Sequence, residues 1–248
     1  MKIVLISDIH GHLWDLDIPK GDVLCIAGDF VPSDDHGLNY QKLWITNELH
    51  RWFESLLESE VVKHIVFISG NHDLIYDDVF YKQKKEDEYR QTLPKNVYYL
   101  RDSEVTIDGV RFWGSPWQNW FHDWAWNLYE PELAEVYKNI PEGIDIMLSH
   151  GPAKGYCDAV EEIYHHPVTG EEIERYGDPL GSHALIECIR RAKMKYVFSG
   201  HIHSASHKLT KIHHERVKGS TYTQVANVSI LNEQYRVYYA PFILEYNK

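Results

Sequence analysis

His64-Ile65-Val66-Phe67-Ile68-Ser69 runs straight into Gly70-Asn71-His72-Asp73, and this stretch decides the fold. Six residues read as a buried strand, and four polar or flexible ones hang from its carboxyl end. Gly70 reads as the residue that lets the backbone turn sharply. Asn71 and His72 bring an oxygen and an imidazole to the sheet edge, where open α/β folds place their ligands. Taken alone, a strand that ends in a Gly-Asn turn is an ordinary loop. Its meaning depends on how the other strands end.

They end the same way. An apolar run over 2–6 leads into Ser7-Asp8-Ile9-His10, and one over 22–27 into Gly28-Asp29-Phe30. A run over 144–148 leads into Ser149-His150-Gly151-Pro152, and one over 195–198 into Ser199-Gly200-His201-Ile202-His203. Continuous rather than alternating hydrophobicity predicts strands buried on both faces. Between the second and third runs, Ile45, Leu49, Trp52, Phe53, Leu56 and Leu57 share one face of a helix over 43–57. Strand, crossover, strand, helix, strand reads as parallel α/β.

From residue 97 the texture shifts to short strands, 97–100, 104–107 and 110–113, the last two joined by an Asp108-Gly109 hairpin turn. Leu185, Ile186, Ile189 and Ala192 form a helical stripe over 182–192. Arg190, Arg191 and Lys193 sit at its C-terminal end, where the helix dipole favours them. The runs 223–230 and 235–244 read as antiparallel strands closing a second sheet. No linker, repeat or low-complexity tract interrupts the chain, so one domain over 1–248 is the simplest account.

Three stretches stay open or functionless at this level. Residues 115–127 hold Trp117, Trp120, Trp124 and Trp126, either a packing plug or a wall for a flat substrate group. The highly charged stretch 77–92 reads as a solvated helix or loop. Residues 153–181 read as a polar loop of a length that is usually functional or mobile, with His165 and His166 facing solvent.

The bulk properties exclude some classes. A net charge of −12 without a run of Lys or Arg argues against extended nucleic acid held by bulk electrostatics. Enzymes acting on phosphates stay in play, because bound ions can supply positive charge locally. Cys25, Cys157 and Cys188 are odd in number and far apart, which speaks against a disulfide framework and for a reducing compartment. Cys25 and Cys188 fall in apolar elements and read as buried thiols. With no signal-peptide pattern and no apolar run of bilayer length, a cytoplasmic protein without a membrane partner is expected. The oligomeric state is open, a homo-oligomer included.

Five apolar runs therefore end in Asp8/His10, Asp29, Asn71/His72, His150 and His201/His203. In Asp8-Ile9-His10 and His201-Ile202-His203 an extended backbone puts both polar side chains on one side. Oxygen and imidazole ligands without thiolate suit Mn, Fe, Zn, Co or Ni rather than a structural zinc site. There are more ligands than one ion needs, but enough for two that share a carboxylate. Two ions about 3.5–4 Å apart are a recurring device for hydrolysis at phosphorus.

Asp8-x-His10, Gly28-Asp29, Gly70-Asn71-His72, the His150 cluster and Gly200-His201-x-His203 resemble the ordered signature of the calcineurin-like metallophosphoesterases. Gly28-Asp29-Phe30, Ser115-Pro116-Trp117-Gln118 and His150-Gly151-Pro152 are closest to the metallophosphoesterase-domain-containing, cyclic-nucleotide-phosphodiesterase-like branch. The resemblance implies a four-layer α/β/β/α sandwich of two mixed sheets. It implies two divalent or trivalent ions, Mn or Fe favoured. One would be held by Asp8, His10 and His203, the other by Asn71, His150 and His201, with Asp29 bridging.

His72, by the same resemblance, contacts the phosphate beside Asn71 and assists the leaving oxygen. The expected activity is hydrolysis of a small, soluble phosphodiester such as a cyclic nucleotide, by water activated on the ions. Two departures from the pattern matter. The protein phosphatases of the superfamily carry an arginine after the Gly-Asp element, and here the run is Gly28-Asp29-Phe30-Val31-Pro32-Ser33. Without that grip on a dianion, diesters are favoured. Asp73 stands where Glu is common, a change around the ligands of open effect. The rivals are a phosphomonoesterase or nucleotide pyrophosphatase of the same fold, and a metal-stabilised binding scaffold without turnover.

Overall fold

A computed structural model of the protein describes residues 1–77, 92–165, 169, 172–215 and 220–247. The chain opens with β1 (Lys2–Ile6) and β2 (Val23–Ala27). A continuous helical stretch follows: α1 (Leu38–Trp44), a π turn (Ile45–Leu49) and α2 (His50–Glu58). Then come β3 (His64–Ile68), β4 (Val97–Tyr99), β5 (Ser103–Ile107) and β6 (Val110–Ser115). The short β7 (Gln118–Asn119) and β8 (Asn127–Leu128) precede α3 (Glu130–Tyr137) and β9 (Ile146–Ser149). The chain goes on through β10 (Glu161–His165), β11 (Glu172–Tyr176), α4 (His183–Ala192) and β12 (Tyr196–Ser199). It ends with β13 (Thr210–His213), β14 (Tyr222–Asn227) and β15 (Phe242–Glu245).

Two sheets carry the fold, ordered β15-β1-β2-β3-β4 and β13-β14-β12-β9-β6-β5. Both are mixed, with a parallel centre, one antiparallel edge in the first sheet and two in the second. The continuous apolar runs split by the period of two. Ile3, Leu5, Cys25, Val66 and Ile68 pack inward against Phe112, Ile146, Leu148 and Phe198 of the second sheet. Their alternates Val4, Ile6, Leu24, Ile26 and Phe67 face outward, in one apolar cluster with Ile45, Leu49, Trp52 and Phe53. On the other side Trp113, Met147 and Val197 belong with Leu133, Leu185 and Ile189 of α3 and α4. Helix, sheet, sheet, helix is the layering, and each fully buried aliphatic or aromatic side chain adds about 1.5–3 kcal/mol to it.

The Asp108-Gly109 hairpin closes as expected, with Ile107 opposite Val110 and both turn residues at positive φ, +48° and +77°. Ser182 caps α4 by accepting from the Leu185 N–H at 3.2 Å. Arg191 reaches past its own helix end and donates to the carbonyls of Tyr137 and Ile140, 3.0 and 2.8 Å away, tying α4 to the end of α3.

Three expectations need correcting. The run 223–230 is parallel to its neighbour β12, and the antiparallel partner of β14 is β13, too short and polar to stand out. From 235–244 only the end is a strand, and β15 pairs with β1 in the first sheet rather than closing the second. The presumed loop 153–181 contains an antiparallel hairpin, Glu161 opposite Tyr176 and His165 opposite Glu172. His166 and residues 78–91 of the charged stretch lie outside the described residues. Helix α3, unread in the sequence, starts where Pro131 suits a first turn and Glu132 accepts the Tyr129 N–H at 2.9 Å. Among the described residues no helix is long and apolar enough to cross a membrane. Cys25, Cys157 and Cys188 form no disulfide, and Cys25 and Cys188 are buried.

Candidate metal centre

The parallel strands β1, β2, β3, β9 and β12 deliver their carboxyl-terminal loops to one end of the two sheets. The loops are laced by backbone: Asp8 N–H donates to Gly28 O and His10 N–H to Asp29 O, both at 3.0 Å. Asp8, His10, Asp29 and His201 all sit at positive φ, between +42° and +68°. Asp and His tolerate that region better than most residues, but four together mark a strained, over-determined site.

Gly70 is not among the positive-φ glycines, so its role differs from the turn freedom expected of it. A Cβ there would collide with Asp29 Oδ1 and His150 Cε1, and one at Gly200 with Ser7 Oγ and Asp8 Oδ2. These glycines let the loops that carry Asp8, Asp29 and His150 approach.

All eight site residues expected from sequence meet here. Asp29 Oδ2 lies 3.7 Å from His10 Nε2 and 3.4 Å from His150 Nε2. Asp8 Oδ1 is 3.5 Å from His203 Nε2. Asn71 Oδ1 faces His150 Nε2 at 2.9 Å and His201 Nδ1 at 2.8 Å. Asp8, His10 and His203 form one buried triad whose donor atoms all lie within 4.8 Å of one another; Asp29 belongs to two more, with His10 and His72 and with Asp8 and His150.

The donors fit cations. Both ring nitrogens of His10 are buried with no hydrogen-bond partner, a costly arrangement unless something else accepts the lone pair. His150 Nδ1 bonds Ala27 O at 2.9 Å and His203 Nδ1 bonds Asn232 O at 3.1 Å. Each contact fixes the N–H on Nδ1 and turns Nε2 toward carboxylate oxygens, the orientation metal-binding histidines use.

The electrostatics agree. Burial pushes the imidazoles of His10 and His201 down to about 3, so they are neutral donors. Burial opposes charge on His150 and His203 too. There the carboxylates outweigh it: Asp29 above all pushes His150 up to about 9, and the bond to Asp8 does the same for His203. Against the burial that would raise them, the neighbouring histidines hold the carboxyls of Asp8 and Asp29 below their ordinary range. The site demands positive charge, and protons or metal ions can supply it.

A prediction follows for the chelated protein. His150 and His203 contribute stability that is complete below the unfolded value of about 6.5 and lost as pH rises through about 9. His10 and His201 act oppositely, losing their contribution as pH falls below about 6.5, and Asp8 and Asp29 add to that loss below about 4. Melting temperature with chelator is expected to peak near pH 6.5 and decline toward 9. Added Mn²⁺ is expected to cancel the alkaline decline and release protons into the buffer. A chelated protein that grows more stable from pH 6.5 to 9 contradicts this.

Asp73 does not address His72. Its carboxylate accepts four backbone N–H groups: Asp29 at 2.8 Å, Gly70 at 2.7 Å, Phe30 and Val31 at 3.1 Å. Burial and the neighbouring Asp29 charge push its carboxyl well above the ordinary value, with the Gly70 and Val31 N–H groups opposing them in part. The shorter side chain thus braces the Gly70 loop against the Asp29 loop. Gln41 of α1 adds a second brace, donating to His72 O at 2.8 Å and accepting from Ile75 N–H at 3.0 Å.

Other contributors carried no local sequence signal. Ser229 Oγ donates to Asp8 Oδ2 at 2.6 Å. The Tyr235 ring lies 4.9 Å from that of His10 and 5.0 Å from that of His203. His36 approaches His72 and Trp124. All come from segments distant in sequence, where an isolated Ser, Tyr or His looks like any surface residue.

A cavity of about 270 Å³ opens over the centre, with Asp29, Asn71, His72, His201 and His203 on its floor. The tryptophan segment divides between its two readings. Trp117 and Trp126 are buried and packed edge-to-face at 5.0 Å, a plug, while Trp120 and Phe121 line the cavity and Trp124 lies 4.2 Å from the His72 ring. Val160, Leu180 and Gly181 bring the 153–181 segment to the same wall.

Comparison with known proteins agrees with this geometry. The sequence model of the calcineurin-like phosphoesterases matches residues 1–205. Human metallophosphoesterase domain-containing protein 1 is 38% identical over 176 residues, covering 64% of this chain and 51% of that protein. A UPF0046 protein of Caenorhabditis elegans is 27% identical over 270 residues, covering 99% of this chain and 60% of that one. The chain thus spans about half to three-fifths of the length of these relatives. One solved crystal structure superposes with a TM-score of 0.53 at 12% identity, covering 91% of this chain and 89% of that one, a likeness of fold. By its sequence, its layered sheets and the cluster of Asp, Asn and His side chains at their carboxyl ends, this chain belongs to the calcineurin-like phosphoesterase family.

Proposed function

We propose that the protein is a two-metal phosphodiesterase acting on a small, soluble diester, a cyclic nucleotide or a molecule of similar size. The observation that carries this reading is the position of Asp29, its Oδ2 between His10 Nε2 at 3.7 Å and His150 Nε2 at 3.4 Å. Asp8, His10 and His203 would hold one ion, Asn71, His150 and His201 the other, with Asp29 shared. Bound ions, with Mn or Fe favoured by this oxygen and imidazole set, would polarise the phosphoryl oxygens and lower the pKa of water.

The chain's own residues do the rest. Ser229 and the His201 N–H, which is 3.0 Å from Asp8 Oδ1, orient the Asp8 carboxylate. Asp73 and Gln41 fix the loop that carries Asn71 and His72. His72 is buried beside Trp124, with Nδ1 free of any partner. Burial lowers its pKa, with His36 and His150 adding to that. An anionic substrate beside it favours the protonated ring, which can then give its proton to the departing alkoxide. Trp124, its ring 4.2 Å from that of His72, shields one face of the imidazole during that transfer.

Among the described lining residues there is no Lys or Arg, whereas Asp29 and Glu233 are both present. Such a cavity suits a singly charged diester better than a dianion. Its volume of about 270 Å³ is near the lower end for small-molecule sites.

Assaying bis(p-nitrophenyl) phosphate beside p-nitrophenyl phosphate is the direct test. The diester is expected to be the better substrate, its hydrolysis lost with chelator and restored by Mn²⁺. Preference for the monoester would favour a phosphomonoesterase, and activity indifferent to chelation would end the metal mechanism.

A further inference from the structure

The cavity has to bind a phosphate anion without a Lys or Arg among its described lining residues. Asn71 Oδ1 is directed at His150 and His201, and Glu233 Oε1 accepts from Ser204 N–H and Oγ at 3.0 and 2.8 Å. One lining side chain offers a neutral O–H donor beside the ligand triad. Tyr235 packs its ring on His10 and His203, and its hydroxyl takes part in no hydrogen bond among the described residues.

Its placement is built rather than accidental. Tyr235 holds a positive φ of +55° in a turn closed by its own N–H on Asn232 O at 2.9 Å. Asn232 Oδ1 accepts from Gln234 and Arg236 N–H at 3.0 and 3.1 Å, and Leu231 pairs with Val237. Asn232 O is also the acceptor that orients His203. One turn therefore sets both a ligand and the phenol above it, and a bulky residue in the left-handed region persists only where surroundings dictate it.

We infer that Tyr235 is a specificity-determining residue, its hydroxyl donating to a non-bridging phosphoryl oxygen where a cation would otherwise stand. This rests on the phosphodiesterase reading. A neutral donor holds the phosphate but gives a second negative charge no added reward, which keeps selection on the singly charged ester. A guanidinium at the same place would reward the dianion and grip two oxygens at once.

The test uses Tyr235→Phe and Tyr235→Arg in the Mn²⁺-loaded full chain. Tyr235→Phe is expected to keep its metal content and melting temperature while kcat/KM for bis(p-nitrophenyl) phosphate falls about 10–100-fold, the loss of one hydrogen bond to a charged group. Tyr235→Arg is expected to shift the monoester-to-diester ratio of kcat/KM at least about tenfold toward the monoester and to tighten inorganic phosphate binding, read by calorimetry. A packing role alone would lower both esters together and leave the ratio unmoved. Tyr235→Phe within twofold of the parent, or an unchanged ratio and phosphate affinity in Tyr235→Arg, overturns the inference. A parent protein that hydrolyses neither ester while phosphate binding still responds to both substitutions would overturn the phosphodiesterase reading and leave Tyr235 as the anion contact.

Discussion

Asp29→Asn is expected to lower kcat on a diester by about 10³-fold or more and to reduce bound metal from two ions to one or fewer. Lewis-acid stabilisation of the transition state is worth several kcal/mol, and each 1.36 kcal/mol is tenfold in rate. A shared ligand places that contribution at both positions at risk. The substitution isolates charge from architecture. Asparagine tolerates the +53° φ of this position. It keeps an oxygen for the His72 N–H, which Asp29 Oδ1 accepts at 2.7 Å. The backbone N–H stays on Asp73 at 2.8 Å. What disappears is the negative charge between His10 and His150. Metal analysis beside kcat decides the matter: two ions and activity within tenfold of the parent would show that Asp29 bridges nothing. In a catalytically silent scaffold the same change would lower stability with no activity to lose.

His72→Ala is expected to cost about 10²–10⁴ in kcat, the range for a positioned general acid, while two ions stay bound. The loop survives the truncation, because it is held through the His72 backbone: the N–H on Asp29 Oδ1 at 2.7 Å and the carbonyl on Gln41 Nε2 at 2.8 Å. The defect should depend on the leaving group. An alkoxide needs a proton as it departs and a nitrophenolate hardly does, so an alkyl diester is expected to suffer more than bis(p-nitrophenyl) phosphate. Loss of metal together with activity would instead make His72 a ligand, an arrangement that the buried His10, Asp29 and His72 triad permits.

The strand ends were the legible part of this molecule. Lys2–Ile6 and His64–Ile68 stand out as unbroken apolar runs because each is buried on both faces, one by the other sheet and one by helices. Parallel strands of one sheet share a direction, so their carboxyl-terminal loops gather at one end, and the two sheets bring those ends together. That is why Asp8, His10, Asp29, Asn71, His72, His150, His201 and His203 could be grouped without coordinates. The edges were harder to read. Thr210–His213 is short and half polar, and β15 finds its partner at the opposite end of the chain, pairing Lys2 with Glu245. No local pattern encodes a pairing across that separation.

Sequence alone therefore determined the parallel α/β class and the chemistry of the donors, because both follow from periodicity and residue type along continuous segments, while the four layers were implied by the family resemblance. Tertiary structure decided everything that depends on distance between segments. It separated Trp117 and Trp126 in the core from Trp120 and Phe121 at the cavity and from Trp124 against His72. It turned Asp73 from a neighbour of His72 into a clasp between two loops. It brought Ser229 to Asp8 and Tyr235 to His10 across more than two hundred residues, and seated the same tyrosine against His203. Gly70, at the end of β3, is small so that Asp29 and His150 can come close, a requirement set by the folded packing of three strand ends.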